Sequence, residues 1–183
     1  MGDIKIPSRP FSTDIAMKLL FVCMGNICRS PTAEGVMRHL LEQQGLADRI
    51  TVDSAGTHNY HPGKAPDART QKHAAQRGYD LSALRARQVV DADFERFDLI
   101  LTMDWDNQAL TESLCPPALA RKVRRLAEFF QRHSDTAVPD PYYGGPDEFE
   151  RVLDLVEDGV EGLMRHCRQR LGTSGPTGSP SQQ

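Results

Sequence analysis

The chain has 183 residues, 39% of them hydrophobic and 26% charged, with a formal net charge of -3 at pH 7. That is the length and balance of one globular domain able to bury a core, and the acidic excess argues against nucleic acid or an anionic membrane as the main partner. No apolar run approaches the roughly 20 residues of a membrane-spanning helix.

Residues 1–16 hold Pro7, Ser8, Pro10, Ser12 and Asp14 without an apolar stretch, so they read as a flexible extension and not as a signal peptide. Residues 18–23 form an apolar run of strand type that ends at a glycine-containing loop. Residues 31–44 place Ala33, Val36, Met37, Leu40 and Leu41 at helical spacing, and Gly45 stops that helix. A second strand over 49–53 closes on Ser54-Ala55-Gly56. A polar loop fills 57–65, and a helix over 66–77 stops at Gly78. Residues 88–90 are extended, and 91–97 form a helical turn capped by Asp91 or Asp93. The third strand spans 97–103; its run Leu99-Ile100-Leu101 marks burial on both faces. Residues 104–113 read as helix. In 122–130 the first half reads as a short fourth strand. A Pro/Gly/Tyr loop at 139–146 leads to the longest helix, 147–171, with Phe149, Val152, Leu153, Val156, Val160, Leu163 and Met164 on one side. Residues 172–183 are rich in Gly, Ser, Thr and Pro and read as a disordered tail.

Strands alternate with helices, so the expected fold is α/β with a mainly parallel sheet in a single domain over 17–171. Ligands gather at the carboxyl ends of such strands. Cys23 follows the first strand, Ser54 the second and Asp104 the third, which places the three on one rim.

The cysteines, at 23, 28, 115 and 167, are too few and too scattered for a disulfide scaffold. Without a signal peptide the reading places the chain in the cytoplasm with its thiols reduced. Cys23 and Cys28 have no second close pair to make a zinc site, and His58 and His61 lack a third ligand nearby. No metal or cofactor is expected, and nothing in the sequence sets an oligomeric state.

The segment from Cys23 to Pro31 carries the chemistry. One thiol opens the loop, one guanidinium closes it at Arg29, and five residues lie between. A free thiol has a reference pKa of about 8.5, so it is mostly unionised near neutral pH; a helix N-terminus and a nearby Arg both favour the thiolate. Loop N–H groups can wrap an oxyanion, and Arg29 offers a planar fork matched to two phosphate oxygens. Gly25 permits a positive φ. Asn26 can satisfy local backbone groups. Ser30 can aim its hydroxyl at the sulfur, and Pro31 suits a first helical turn. A dinucleotide loop would need three glycines, and a nucleotide phosphate loop would end in Gly-Lys-Ser/Thr; this loop does neither. Cysteine attack on a phosphate monoester expels an oxygen that needs a proton. Asp140, between Pro139 and Pro141, is the candidate acid, with Tyr142 and Tyr143 as walls for a flat substrate.

Four segments in order resemble the low-molecular-weight protein tyrosine phosphatases: Val22-Cys23-Met24-Gly25-Asn26-Ile27-Cys28-Arg29-Ser30-Pro31, Val52-Asp53-Ser54-Ala55-Gly56-Thr57, Asp98-Leu99-Ile100-Leu101-Thr102-Met103-Asp104 and Asp140-Pro141-Tyr142-Tyr143-Gly144. The resemblance covers about residues 17–171. It implies a four-stranded parallel sheet flanked by helices, of the phosphotyrosine phosphatase I-like, Rossmann/flavodoxin-like type. It implies metal-independent hydrolysis through a phosphocysteine, with Cys23 as nucleophile, Arg29 on the phosphate and Asp140 as acid, then base. Asn26, Ser30 and Ser54 match positions that brace the loop. Met24 and Ile27 line its mouth with Tyr60, Tyr142 and Tyr143 around it, which favours phosphotyrosine-containing protein substrates. Relatives that hydrolyse phosphoarginine carry Thr at the position of Ile27. Cys28 matches the thiol that traps an oxidised nucleophile as a disulfide. A family histidine in the helix after Pro66 is replaced here by Arg77, with His73 one turn earlier, so no role passes to either. The alternatives are a thioredoxin-linked arsenate reductase, whose two relay cysteines near residues 90–100 this chain lacks, and a non-enzymatic phosphate-binding or redox-sensing module. The run 121–125 reads as a solvated face or as a docking patch for acidic partners.

Overall fold

The computed structural model describes residues 15–172; the expected amino-terminal extension and carboxyl-terminal tail otherwise lie outside the described residues. In chain order come β1 (Met17–Cys23), α1 (Arg29–Gln43), β2 (Ile50–Gly56), α2 (Ala68–Gln76), α3 (Asp91–Arg96), β3 (Leu99–Thr102), α4 (Trp105–Leu114), β4 (Val123–Arg125) and α5 (Pro146–Leu171), with 3-10 turns at Pro117–Lys122 and Leu126–Phe129. The strands form one sheet in the order β2-β1-β3-β4, and every pairing is parallel.

The alternation of β1 explains the layering. Leu19 and Phe21, beside Leu99 and Leu101 of β3, bury against Met37 of α1 and Val156 of α5. Leu20, Val22 and Ile100 face the other way, onto Phe94 and Phe97. Both faces of the central strands are covered, so their sequence is continuously apolar.

Several boundaries differ from the expected ones for identifiable reasons. Helix α1 starts at Arg29, before Pro31, which needs no N–H partner in a first turn. Helix α2 starts at Ala68 because the Asp67 carboxylate accepts the N–H of Arg69 at 2.8 Å and of Thr70 at 3.4 Å. Neither Asp91 nor Asp93 occupies the cap position of α3; Val90 does, and Asp93 reaches back from the third helical position to accept the Val90 N–H at 2.9 Å. Strand β3 is shortened because the Phe97 N–H still bonds Asp93 of α3 at 3.1 Å. Residues 88–90 contribute a single parallel bridge, Gln88 to Gly56.

Helix α5, with 26 residues, is about 39 Å long. It runs from the loop holding Asp140 to the opposite end of the sheet. Its Gly162 lets the Leu126–Phe129 turn lie directly on it, since a Cβ there would stand 1.9 Å from the Phe129 carbonyl oxygen. No helix among the described residues is long and apolar enough to cross a membrane. Parallel pairing puts the carboxyl ends of β1, β2 and β3 on one edge, with Cys23 beside Gly56 and Val22 beside Thr102.

Candidate active site

Strand β1 ends at Cys23 and α1 begins at Arg29, so residues 24–28 must turn within one short loop. Its left-handed residue is Asn26, at φ 56°, and not Gly25. Gly25 has a steric reason instead: a Cβ there would come within 3.3 Å of the His61 ring. A left-handed conformation costs a non-glycine residue roughly 1–2 kcal/mol. The Asn26 side chain holds it through three bonds. Nδ2 donates to Ser30 Oγ at 2.8 Å and to Ser54 Oγ at 2.9 Å, and Oδ1 accepts the Arg87 N–H at 3.0 Å. Ser54 in turn donates to Glu34 Oε2 at 2.6 Å. Burial raises the Glu34 pKa, against the hydrogen bonds of Ser54 and Arg38. The loop is thus tied to α1, to β2 and to the segment before α3.

Ser30 accepts from Asn26, which leaves its hydroxyl proton for the Cys23 sulfur at 3.0 Å or for the Ala55 carbonyl at 3.4 Å. The adjacent Arg29 side chain is only 2% exposed. Its Nη1 donates to Asp104 Oδ2 at 2.5 Å and to the Val138 carbonyl at 3.1 Å, and its Nη2 lies 3.8 Å from Asp140 Oδ2. Burial alone would weaken the charge of Arg29; the Cys23 sulfur, Asp104 and Asp140 outweigh it and hold the guanidinium pKa above its ordinary value. Asp104 does two jobs, because its Oδ1 also accepts the Asn107 N–H at 2.7 Å and caps α4.

These groups meet in a cleft of about 250 Å³. Cys23, Cys28 and Arg29 lie at its buried end, Met24, Gly25 and Ile27 add the loop side, and Tyr60, His61, Asp140, Tyr142 and Tyr143 complete the lining. Asp140 is 44% exposed on its side chain. Its Oδ1 accepts the Tyr142 N–H at 3.1 Å, which ties the carboxylate to its own loop. Tyr142 and Tyr143 meet edge to face, centroids 5.0 Å apart. Tyr60 stacks on His58 at 4.8 Å, and His58 Nδ1 is 2.9 Å from Thr57 Oγ1, so the His58/His61 pair belongs to the loop at the cleft mouth. Burial pushes the Cys28 thiol up to about 12.

Cys23, Met24, Gly25, Ile27, Cys28, Arg29, Tyr60, Asp140, Tyr142 and Tyr143 therefore line one cavity, while Asn26, Ser30 and Ser54 stand behind the loop. Sequence reading took His61 only as part of the His58/His61 pair and not as a cleft residue, and it missed the Asp104–Arg29 pair, the Glu34 acceptor, Arg87 and Arg69. The Arg69 guanidinium lies 5.4 Å from the Tyr142 ring centre and 4.7 Å from that of Phe149, anchored on Asp67 at 3.0 Å. Of the others, Asp104 alone gave a signal beforehand, as the residue following a strand on the active rim. A buried thiol, a fixed guanidinium and a carboxylate facing one another can hold an oxyanion and move a proton beside it.

Comparison with known proteins agrees with this geometry. The family described as "Low molecular weight phosphotyrosine protein phosphatase" matches residues 18–173. A Synechocystis sp. protein whose name assigns it to the low molecular weight protein-tyrosine-phosphatases is 47% identical over 156 residues, covering 85% of this chain and 99% of that protein. The low molecular weight protein-tyrosine-phosphatase of Streptomyces coelicolor is 41% identical over 157 residues, covering 84% and 95%. The crystal structure of an Entamoeba histolytica protein tyrosine phosphatase with Hepes in its active site superposes with a TM-score of 0.81 at 43% identity, covering 85% of this chain and 98% of that one. The chain belongs to the low molecular weight phosphotyrosine protein phosphatases and is an enzyme of that family.

Proposed function

We propose that the protein hydrolyses phosphotyrosine in protein substrates, without a metal, through a phosphocysteine on Cys23. The observation that carries this is the meeting of the Cys23 sulfur, the buried Arg29 and Asp140 in a single cleft, with Asp140 3.8 Å from the guanidinium. In the first step the Cys23 thiolate attacks phosphorus. The S–P bond forms, the P–O bond to the tyrosine breaks, and the Asp140 carboxyl gives its proton to the departing oxygen. In the second step the Asp140 carboxylate takes a proton from water as the water oxygen attacks phosphorus. The S–P bond breaks, and inorganic phosphate leaves. Arg29 and the N–H groups at the start of α1 carry the charge of the phosphoryl oxygens in both steps.

Tyr60, Tyr142 and Tyr143 give the substrate ring an aromatic channel, and the depth of Cys23 below them favours a phosphate carried on a long aryl side chain. A cytoplasmic setting suits a nucleophile that must stay reduced. The arsenate-reductase reading is disfavoured by the placement of the other thiols: Cys115 closes α4 on one side of the sheet and Cys167 lies inside α5 on the other.

The test is para-nitrophenyl phosphate turnover in EDTA, comparing wild type with Cys23→Ser and Asp140→Ala. Turnover in wild type, abolished by the first change and reduced at least 100-fold by the second, is expected. Dependence on added metal, or a fully active Cys23→Ser, would overturn the proposal.

A further inference from the structure

A second cleft, of about 360 Å³, lies at the amino ends of β3 and β4, lined by Asp98, Leu99, Arg121, Lys122, Arg124, His166 and Arg170. Parallel strands put it at the end of the sheet opposite Cys23, separated by the length of β1, whose seven residues span about 20 Å. Its charges are unbalanced. Among the described residues, Arg121, Lys122 and Arg170 pair with no carboxylate. Arg121 donates to the Ala118 carbonyl at 3.0 Å and Lys122 to the Phe94 carbonyl at 2.7 Å. Arg124 has Glu128 at 3.3 Å. Asp98, the acid of the lining, accepts the Lys18 N–H at 2.7 Å.

His166 lies among these cations. Its ring packs edge-on to Phe129 at 5.4 Å, and the Arg124 guanidinium lies 4.7 Å from the Phe129 ring centre. Burial, then Arg170 and Arg124, hold the His166 pKa below its ordinary value. Positive charges brought together at this cleft repel, and an anion placed among them removes that repulsion.

We propose that this cleft docks an acidic polypeptide segment. The occupant is a separate molecule of complementary charge, which neither flanking segment offers: residues 1–14 balance Asp3 and Asp14 with Lys5 and Arg9, and residues 173–183 carry no charged side chain. It is a polypeptide because a substrate that reaches both this cleft and Cys23 must be a polymer, a point that rests on the protein-substrate reading above. Docking there raises the effective concentration of a phosphotyrosine borne on the same chain.

The experiment follows the His166 imidazole by NMR during titration with an octapeptide of alternating Asp and Glu that lacks phosphotyrosine. The expected result is a rise in the His166 pKa, saturable binding that weakens with salt, and at least a tenfold loss of affinity in Arg121→Glu/Arg170→Glu. Arg121→Gln/Arg170→Gln replaces that variant should charge reversal prevent folding. In a second arm, kcat and KM are measured for a phosphotyrosine peptide extended by an acidic tail long enough to reach the cleft. KM should rise at least fivefold in the variant, with para-nitrophenyl phosphate turnover unchanged.

An unmoved His166 at millimolar octapeptide, or equal binding by the variant, overturns the proposal. Inorganic phosphate shifting His166 as strongly as the octapeptide also overturns it, in favour of a small-anion site. Failure of wild type to turn over para-nitrophenyl phosphate would sink the catalytic reading instead, while the octapeptide titration would still decide the docking site.

Discussion

Arg29 and Asp104 form a partly buried ion pair, Nη1 to Oδ2 at 2.5 Å, that holds the guanidinium by one amino nitrogen while the other, Nη2, lies 3.8 Å from Asp140. The same carboxylate caps α4 through its other oxygen. Asparagine caps helices as well as aspartate does but carries no charge to orient the arginine. Asp104→Asn should therefore lower kcat/KM about tenfold, equivalent to about 1.4 kcal/mol, with little change in melting temperature. Asp104→Ala should lose the cap as well, at about 1 kcal/mol of stability. Steady-state kinetics beside thermal melts separates the two effects; an Asp104→Asn enzyme with wild-type kcat/KM would show that the pair does not orient Arg29.

Asn26 is both the conformational pivot of the loop and its hydrogen-bonding centre. Asn26→Gly keeps the left-handed turn and loses the three bonds, leaving the partly buried Arg87 N–H without its acceptor, at about 1 kcal/mol or more. Asn26→Ala adds a further cost of roughly 1–2 kcal/mol for the backbone conformation. Alanine should thus be worse than glycine at this position, reversing the usual order of the two residues. Para-nitrophenyl phosphate kinetics and urea melts on both variants check the ranking.

Much of the loop was legible in the sequence because its signals are local: an apolar strand, a thiol and an arginine at fixed separation, a serine and a proline opening a helix. The rest was not, for physical reasons. Arg87 meets Asn26 across 61 positions of chain and Val138 meets Arg29 across 109; no spacing rule connects such residues. The expected role for Gly25 missed because asparagine also adopts a positive φ, here with its side chain held by Ser30, Ser54 and Arg87. The helix expected from residue 66 starts at Ala68 because Asp67 supplies the cap.

Asp158 should set the acid limit of the fold. Its buried carboxylate accepts the N–H groups of Gln131, Arg132 and His133, each at 3.0 Å, and His133 Nδ1 at 2.8 Å. Burial alone would raise its pKa; these bonds outweigh it and bring the value from 3.8 down to about 2. A folded-state pKa below the unfolded one gives stability that is fully present above the unfolded value and lost as pH falls through the folded value. The urea midpoint of wild type should thus decline between about pH 4 and pH 2. Asp158→Asn should be less stable at neutral pH and show a shallower decline in that window; an identical slope would assign acid sensitivity to other carboxylates.

Cys28 enters this chemistry as a neutral thiol, because burial pushes its pKa up to about 12. Disulfide formation requires a thiolate. If Cys28 resolves a Cys23 sulfenic acid, the rate of that step should climb close to tenfold per pH unit between pH 7 and pH 9. Cys28→Ser should turn over substrate normally but recover poorly with thiol after peroxide. Recovery equal to wild type would remove Cys28 from the redox chemistry.

The partners of Arg29 have a consequence for how the enzyme is made. Asp104 and Val138 stand 75 and 109 residues further along the chain, and β1 must pair with β2 and β3 on either side before its loop is framed. A ribosome adding about 5–20 residues per second delivers Cys23 many seconds before the groups that orient the guanidinium beside it. The thiol emerges first and the contacts that orient Arg29 are assembled last, so a nascent or truncated chain ending before residue 138 carries the proposed nucleophile without the full set of groups that hold its arginine.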